Sequence, residues 1–234
     1  MIIIYGINAV KSALEQGEVE KLYVGDSFSN QDLLRLASSR GVIPLRVDRK
    51  KLQSMTSGNH QGVVAEVKEY KTYSLSEIIT SAEKRDHPII VMLDELNDPH
   101  NLGAILRSSD AFGISGIAFK NRREVSLNGT VAKTSTGAIN YVPCAMVVNL
   151  SQAIDTLKKS GYRIVGLDGE ATIDLATSPN YDKLCLVVGS EGYGISRLVK
   201  SKCDLLVKIP MLGHVECLNA SVACAIALYR YRFL

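Results

Sequence analysis

The five cysteines, Cys144, Cys185, Cys203, Cys217 and Cys224, include no Cys-x-x-Cys pair. Their odd number and irregular spacing argue against a disulfide framework or a zinc ribbon. Most of them read as small buried residues of a reducing compartment. No apolar run approaches the roughly 20 residues a membrane-spanning helix needs. The apolar start, MIII, has no basic stretch before it and breaks at Tyr5-Gly6, so no secretory signal is recognised and a cytoplasmic protein is expected. Metal-ligand clusters, internal repeats and low-complexity tracts are all missing. Lys and Arg exceed Asp and Glu by only 27 to 24, a net charge of +3. Charge alone therefore does not identify a nucleic-acid partner, and an RNA site has to come from local basic clusters.

What is present is an alternation of helical and strand patterns over 234 residues, enough for one large domain or two modest ones. Ile7, Val10 and Leu14 stand at helical spacing and are followed by Gly17. VEKLYVG, GVIPLRV and GVVAEV read as strands. NQDLLRLASSRG reads as a helix with Asn30 as N-cap and Gly41 past its end. These elements predict a small α/β unit over residues 1–67. Residues 68–87 are rich in charge and are expected to be a linker, with a short helix opened by a Ser74/Glu77 capping box. From Pro88 onward PIIVMLD, GIAF, YVPCAMVV, YRIVGLD, LCLVVG and LLVKIP are near-continuous apolar runs separated by helical patterns. That alternation predicts a parallel sheet covered on both faces, in a domain over residues 88–234.

Three segments carry polar groups where such sheets bind ligands, at the carboxyl ends of strands. The first, LDELNDPHNLGAILRSSDAFG, places Asn101 at a helix start and Arg107 off the apolar stripe of Leu102, Ile105, Leu106 and Phe112. The Arg107 side chain leans back toward the helix start. Alone, this segment reads more simply as a capping Asn and a solvated Arg. The second, LVVGSEGYGIS, spaces its glycines G-x-x-G-x-G and falls late in the chain. Both points count against a dinucleotide fingerprint, while the glycines admit a ligand close to the backbone and leave Glu191 in the loop. The third, IPMLGHVECLNASVACAIALY, runs from a strand through a loop into a helix made largely of small residues. Asn219 and Ser221 are N-cap candidates, and two polar groups beside the Cys217 thiol exceed what capping requires.

Together these segments resemble the SpoU family of the SPOUT class of methyltransferases, from about Pro88 to the C-terminus. GINAV near the start and NHQGVVAEV, Asn59 to Val67, resemble the substrate-binding domain of the branch that methylates large-subunit ribosomal RNA. The resemblance implies an α/β fold: a C-terminal SPOUT domain with a parallel sheet and a deep trefoil knot, and a small N-terminal α/β substrate-binding domain of an RNA-binding ribosomal-protein type. It implies methyl transfer from S-adenosylmethionine to the ribose 2′-hydroxyl of a guanosine in large-subunit ribosomal RNA. Asn101, Arg107, Glu191 and Asn219 match the family's catalytic positions, with Ser221 beside them. Gly189, Ile209 and Leu218, with Met211 and Gly213 nearby, match its cofactor contacts. A homodimer through the catalytic domain is implied, with the small-faced C-terminal helix as its contact, and no metal is required.

Two points qualify the match. The family casts the Arg107 equivalent as a base, but with a pKa above ~12 an Arg is better suited to stabilising a developing alkoxide and gripping a phosphate. Cys217 replaces the Ser usual before the Leu-Asn of the third motif. For RNA contact the expected cluster is Lys120, Arg122 and Arg123, ahead of Arg49, Lys50 and Lys51; His60 and Gln61 are equally suited to base contact or to a turn. His100 is left out of catalysis. The competing readings are a transfer-RNA ribose methylase of the same family and a non-catalytic ribosome-assembly protein.

Overall fold

The computed structural model describes residues 1–56, 58–120 and 127–234. It divides into two compact units, residues 1–71 with 127–141 and residues 72–126 with 142–234.

The first unit is built from β1 (Ile2–Tyr5), α1 (Ile7–Gln16), β2 (Val19–Gly25), α2 (Gln31–Ser39), β3 (Pro44–Val47), α3 (Arg49–Met55) and β4 (Val63–Val67). Its four-stranded sheet runs β1-β4-β2-β3. β4 is antiparallel to both its neighbours, whereas β2 and β3 are parallel. Asn30 caps α2, its side chain accepting from the Leu33 N–H at 3.0 Å. Asp48 does the same for α3 from the Lys51 N–H at 2.7 Å, so Arg49, Lys50 and Lys51 form an exposed first helical turn. Gly6, before α1, offers no side-chain cap. The Gln61 side chain, from the distant NHQG segment, supplies one by accepting from the Ile7 N–H at 3.0 Å. GINAV and NHQG are thus one hydrogen-bonded structure.

The second unit contains α4 (Leu75–Ala82), β5 (Ile89–Leu93), α5 (Pro99–Ala111), β6 (Gly116–Lys120), β7 (Cys144–Val147), α7 (Leu150–Lys159), β8 (Arg163–Leu167), β9 (Ile173–Asp174), β10 (Leu184–Val188), α8 (Arg197–Lys200), β11 (Leu205–Lys208) and α9 (Ala220–Phe233). The strands form one seven-stranded sheet, β7-β6-β5-β10-β8-β11-β9. Every pairing in it is parallel. All five residues of β5 and of β10 are buried, as strands covered on both faces require. Ile90, Met92, Cys185 and Val187 pack with Leu75, Ile78 and Ile79 of α4 and Leu150, Ile154 and Leu157 of α7 in one core. α9 packs against α5 and β10.

Within the expected linker 68–87, α4 is opened by the Ser74/Glu77 capping box and buries Leu75, Ile78, Ile79 and Ala82. Leu and Ile side chains contribute ~1.5–3 kcal/mol each on full burial, which ties the helix to the second unit. A further helix, α6 (Gly129–Thr134), belongs to the first unit. A Cβ on Gly129 would lie 2.0 Å from the Ile3 carbonyl oxygen, so only glycine permits this approach to β1. The Asn140 amide donates to Ser12 Oγ at 3.0 Å, and that hydroxyl donates to the Gly137 carbonyl at 3.3 Å.

Candidate active site

Three polar side chains from the three sequence motifs meet at the carboxyl end of the large sheet. Asn101 lies in the first turn of α5, behind an Asp98 N-cap that accepts from the His100 N–H at 2.8 Å. It is only 6% exposed. Glu191 sits in the loop after β10. Asn219 caps α9, its Oδ1 accepting from the Ser221 N–H at 2.9 Å and the Val222 N–H at 3.4 Å. Its Nδ2 donates to Asn101 Oδ1 at 2.9 Å and to Glu191 Oε1. Asn101 Nδ2 donates to the same Glu191 oxygen at 2.9 Å, and the Ala220 N–H approaches it at 3.4 Å. One carboxylate oxygen therefore collects the donors that fasten two helix starts to one loop.

The loop is held from both ends. Ser190 and Gly194 exchange backbone hydrogen bonds of 3.1 and 2.8 Å. A Cβ on Gly189 would lie 2.1 Å from the carbonyl carbon and oxygen of Gly194, so the loop closes only over a glycine. Beneath it lies Asp94, the first residue after β5, with 0% exposure. Its Oδ2 accepts from the Ser196 N–H at 2.8 Å and its Oδ1 pairs with Lys120 Nζ at 3.3 Å. Asp94 was not singled out from the sequence, although an acidic residue ending a fully apolar strand was a usable signal.

A cavity of about 620 Å³ adjoins the cluster, within the range of ~300–1,000 Å³ typical of small-molecule sites. Gly189, Ile209, Met211 and Leu218 line it, as do Glu191 and Cys217; Gly213 does not. Asp168, after β8, and Asp174 of β9 also line it and were missed by the sequence reading. Asp168 is anchored by Lys200 Nζ and by the Glu170 N–H at 2.9 Å.

Arg107 is exposed and makes no hydrogen bond or ion pair with another described residue. It lies six positions beyond Asn101, about 9 Å along the helix. Within one chain it does not join the cluster. Lys120, expected to contact RNA, pairs with the buried Asp94 carboxylate; Arg122 and Arg123 lie outside the described residues. His60 and Gln61 take turn positions: His60 Nδ1 accepts from the Gly62 N–H at 3.0 Å, and Gln61 has φ 54°. With Arg49 and Asn59 they line a cavity of about 750 Å³ in the first unit.

A parallel sheet with a ligand-sized cavity and a glycine-bounded carboxylate at its strand ends defines an α/β enzyme that binds a small molecule at the carboxyl edge. The chain belongs to the SpoU rRNA methylase family, whose model matches residues 88–229, and residues 3–73 match the model for RNA 2′-O ribose methyltransferase substrate binding. It is 44% identical over 231 residues to a putative TrmH family tRNA/rRNA methyltransferase of Bacillus subtilis, YacO, covering 97% of this chain and 93% of that one. A putative TrmH family tRNA/rRNA methyltransferase of Staphylococcus saprophyticus is 41% identical over 233 residues, covering 97% and 94%. Among solved structures, the SpoU methyltransferase AviRb of Streptomyces viridochromogenes, in complex with AdoMet, matches with a TM-score of 0.81 at 24% identity, over 98% of this chain and 88% of that one. An AdoMet-bound rRNA methyltransferase of Sinorhizobium meliloti matches with a TM-score of 0.82 at 24% identity, over 99% and 86%. At that identity the likeness is one of fold.

The family depends on S-adenosylmethionine, and the cavity's residues fit that group. Gly189 lines the cavity at the closed neck of the loop, and Val188, Ile209 and Leu218 are apolar walls for a purine. Asp168, Asp174 and Glu216 set acidic groups among them, suited to ribose hydroxyls and to a cationic amino-acid tail.

Proposed function

We propose that the protein transfers a methyl group from S-adenosylmethionine to the ribose 2′-hydroxyl of a guanosine in large-subunit ribosomal RNA. The observation that carries this reading is the Asn101–Glu191–Asn219 cluster, whose Glu191 lines the cofactor-sized cavity. Bound there, S-adenosylmethionine supplies a methyl already made electrophilic by the adjacent sulfonium. The chain's residues then have to place one hydroxyl oxygen in line with that methyl and accommodate the proton it loses. Gly189, Ile209, Met211 and Leu218 hold the donor. Glu191, fixed by its amide donors, orients the acceptor ribose through its remaining oxygen. Arg107, held out in solvent, is placed to grip the backbone phosphate beside the target.

The first unit serves as the RNA-holding domain in this proposal, with the exposed turn of Arg49, Lys50 and Lys51 as its basic edge. Lys120, Arg122 and Arg123 remain part of the proposed RNA contact. The catalytic unit pairs with a second copy through α9. Val222, Ile226, Tyr229 and Phe233 recur along one stripe of that helix and are each between 41% and 57% exposed, more apolar surface than a lone helix face leaves to water. The return of β11 beside β8, followed by α9 packing on α5, supports a knotted path for the C-terminal segment.

The test is ribose-methylation mapping of ribosomal and transfer RNA from cells with and without the gene. Loss of one 2′-O-methyl guanosine in large-subunit RNA is the expected result. Loss of a transfer-RNA mark would move the substrate to the runner-up, which the tRNA/rRNA naming of the relatives keeps open. Unchanged marks in both RNAs would favour a non-catalytic ribosome-assembly role.

A further inference from the structure

The cavity of about 750 Å³ in the first unit lies where three segments meet: the turn after β2, α3 and the turn over residues 59–62. The Gly25 N–H donates to the Gly62 carbonyl at 2.9 Å, which joins the first of these segments to the third. Leu52 of α3, 1% exposed, is part of the lining. The turn over residues 59–62 is tied to two other helices. Gln61 Oε1 accepts from the Ile7 N–H of α1 at 3.0 Å, and Lys133 Nζ of α6 donates to the Asn59 carbonyl. The wall that this turn supplies is therefore fixed before anything binds.

Part of the polar lining is used by the turn itself. Thr56 Oγ1 accepts from the Gly58 N–H at 3.2 Å, Asn59 Oδ1 from the Gln61 N–H at 3.3 Å, and His60 Nδ1 from the Gly62 N–H at 3.0 Å. With Nδ1 accepting, the neutral imidazole carries its hydrogen on Nε2. That N–H, the Asp26 carboxylate, the Arg49 guanidinium and the Gln53 amide have no hydrogen-bond partner among the described residues. A divalent cation does not suit this set, since among the described residues no three His, Cys, Asp or Glu are placed to hold a metal ion. A wholly apolar ligand does not suit it either, because Leu52 is the one apolar side chain in the described lining. An amide and an imidazole N–H beside a carboxylate supply donors and acceptors together, as the edge of a nucleobase requires, and RNA offers such edges where a strand is unpaired. Phosphates have a counterpart on the same helix. Arg49 opens α3, and Lys50 and Lys51 follow it on one exposed turn.

A separate observation points to the same ligand. The substrate-binding match covers residues 3–73, which contain every described residue of this cavity. We infer that the cavity receives one unpaired nucleotide of the substrate RNA, other than the nucleotide that is methylated. His60 Nε2 and the Gln53 amide hydrogen-bond its base, and Arg49, Lys50 and Lys51 take the flanking phosphates. The RNA is then selected twice, at the methylated ribose and at this second nucleotide. The inference rests on the ribose-methyltransferase reading and adds to it a second recognition site and the RNA feature that the site reads.

The test uses the whole chain and the shortest RNA fragment that it methylates, prepared with the base removed from one nucleotide at a time. The wild type is expected to bind one of these abasic fragments, altered at a nucleotide that is not methylated, on the order of tenfold more weakly than the intact fragment. The double variant Gln53→Ala with His60→Asn removes both groups that meet the base. Asn at position 60 keeps an oxygen where Nδ1 accepts from the Gly62 N–H, so the turn is retained. This variant is expected to bind the intact fragment about tenfold more weakly and to bind the abasic one no worse than that. Gln53→Ala alone, at an exposed helix position, is expected to reduce the same abasic penalty in part. Lys50→Ala is expected to weaken every fragment alike, as loss of a phosphate contact does. A scan with no sensitive position beyond the methylated nucleotide, or an undiminished abasic penalty in both Gln53 variants, would overturn the pocket assignment and leave ribose methylation standing. A wild type that methylates no RNA would overturn both.

Discussion

Asn219 and Asn101, 118 positions apart in the chain, share a hydrogen bond of 2.9 Å, and both donate to one oxygen of Glu191. Asn219 works twice: its oxygen caps α9 and its nitrogen builds the cluster. The two roles separate by substitution. Asn219→Ser keeps an oxygen for the cap but loses both donated bonds. Methyl transfer is expected to fall about 10²–10³-fold, while Tm changes far less than it does in Asn219→Ala, which also gives up a cap of ~1 kcal/mol. Paired measurement of rate and thermal unfolding decides this. A rate that follows Tm through both variants would reduce Asn219 to a capping residue.

The Gly189–Gly194 loop offers a matched pair of glycines. Gly189→Ala drives a methyl to within 2.1 Å of Gly194 backbone, whereas Gly192→Ala meets nothing within 4 Å. The first is expected to abolish calorimetric binding of S-adenosylmethionine by opening the loop that lines its cavity. The second is expected to leave binding within about threefold of wild type, the ±0.5 kcal/mol usual for surface changes. Equal loss in both would show that loop flexibility, not the close approach, is what binding requires.

Much of this was legible in the primary structure, for identifiable reasons. Caps such as Asn30 and the Ser74/Glu77 box depend on neighbours three positions away, and β5 and β10 declare their burial through unbroken apolar runs. The site residues were legible as three motifs, but no periodicity says that positions 101, 191 and 219 converge, because that depends on a strand order in which β10 lies beside β5. The pairing of Lys120 with Asp94 was not legible, because Asp94 is 26 positions earlier and at the end of a neighbouring strand. The segment 127–141 gave no sign of joining the first unit. Its docking relies on Gly129 and Gly137, which act through the absence of a side chain.

The Asp94–Lys120 pair is a stability element beneath the loop. Breaking a buried pair by removing one partner typically costs ~3–5 kcal/mol. Asp94→Ala also removes the acceptor of the Ser196 N–H, and a loss of about 3 kcal/mol is expected in urea unfolding. Lys120→Met should cost less, about 1 kcal/mol, because the Lys120 side chain is 29% exposed and partly screened. Asp94→Asn keeps an oxygen for Ser196 and should fall between the two. Equal midpoints for Asp94→Ala and Lys120→Met would place the stabilisation in the ion pair rather than in the tie to the loop.

The cysteines divide cleanly in reactivity. Burial pushes the Cys144 and Cys224 thiols up to about 12, and Cys203 to about 12 as well; the fully buried Cys185 is raised for the same reason. A thiol attacks only as thiolate, so these four stay unreactive at pH 8 while the protein is folded. Cys217 is exposed and lines the cavity of about 620 Å³ beside the cluster. Treating native protein with an alkylating reagent at pH 8 and mapping the product by mass spectrometry should therefore find one rapid modification, at Cys217, with the other four appearing only in denaturant. Saturating S-adenosylmethionine should slow that modification at least about tenfold, the protection expected when a ligand occupies most of the sites. Unchanged alkylation with ligand bound would place Cys217 outside the occupied volume and remove the third motif's loop from the proposed cofactor wall.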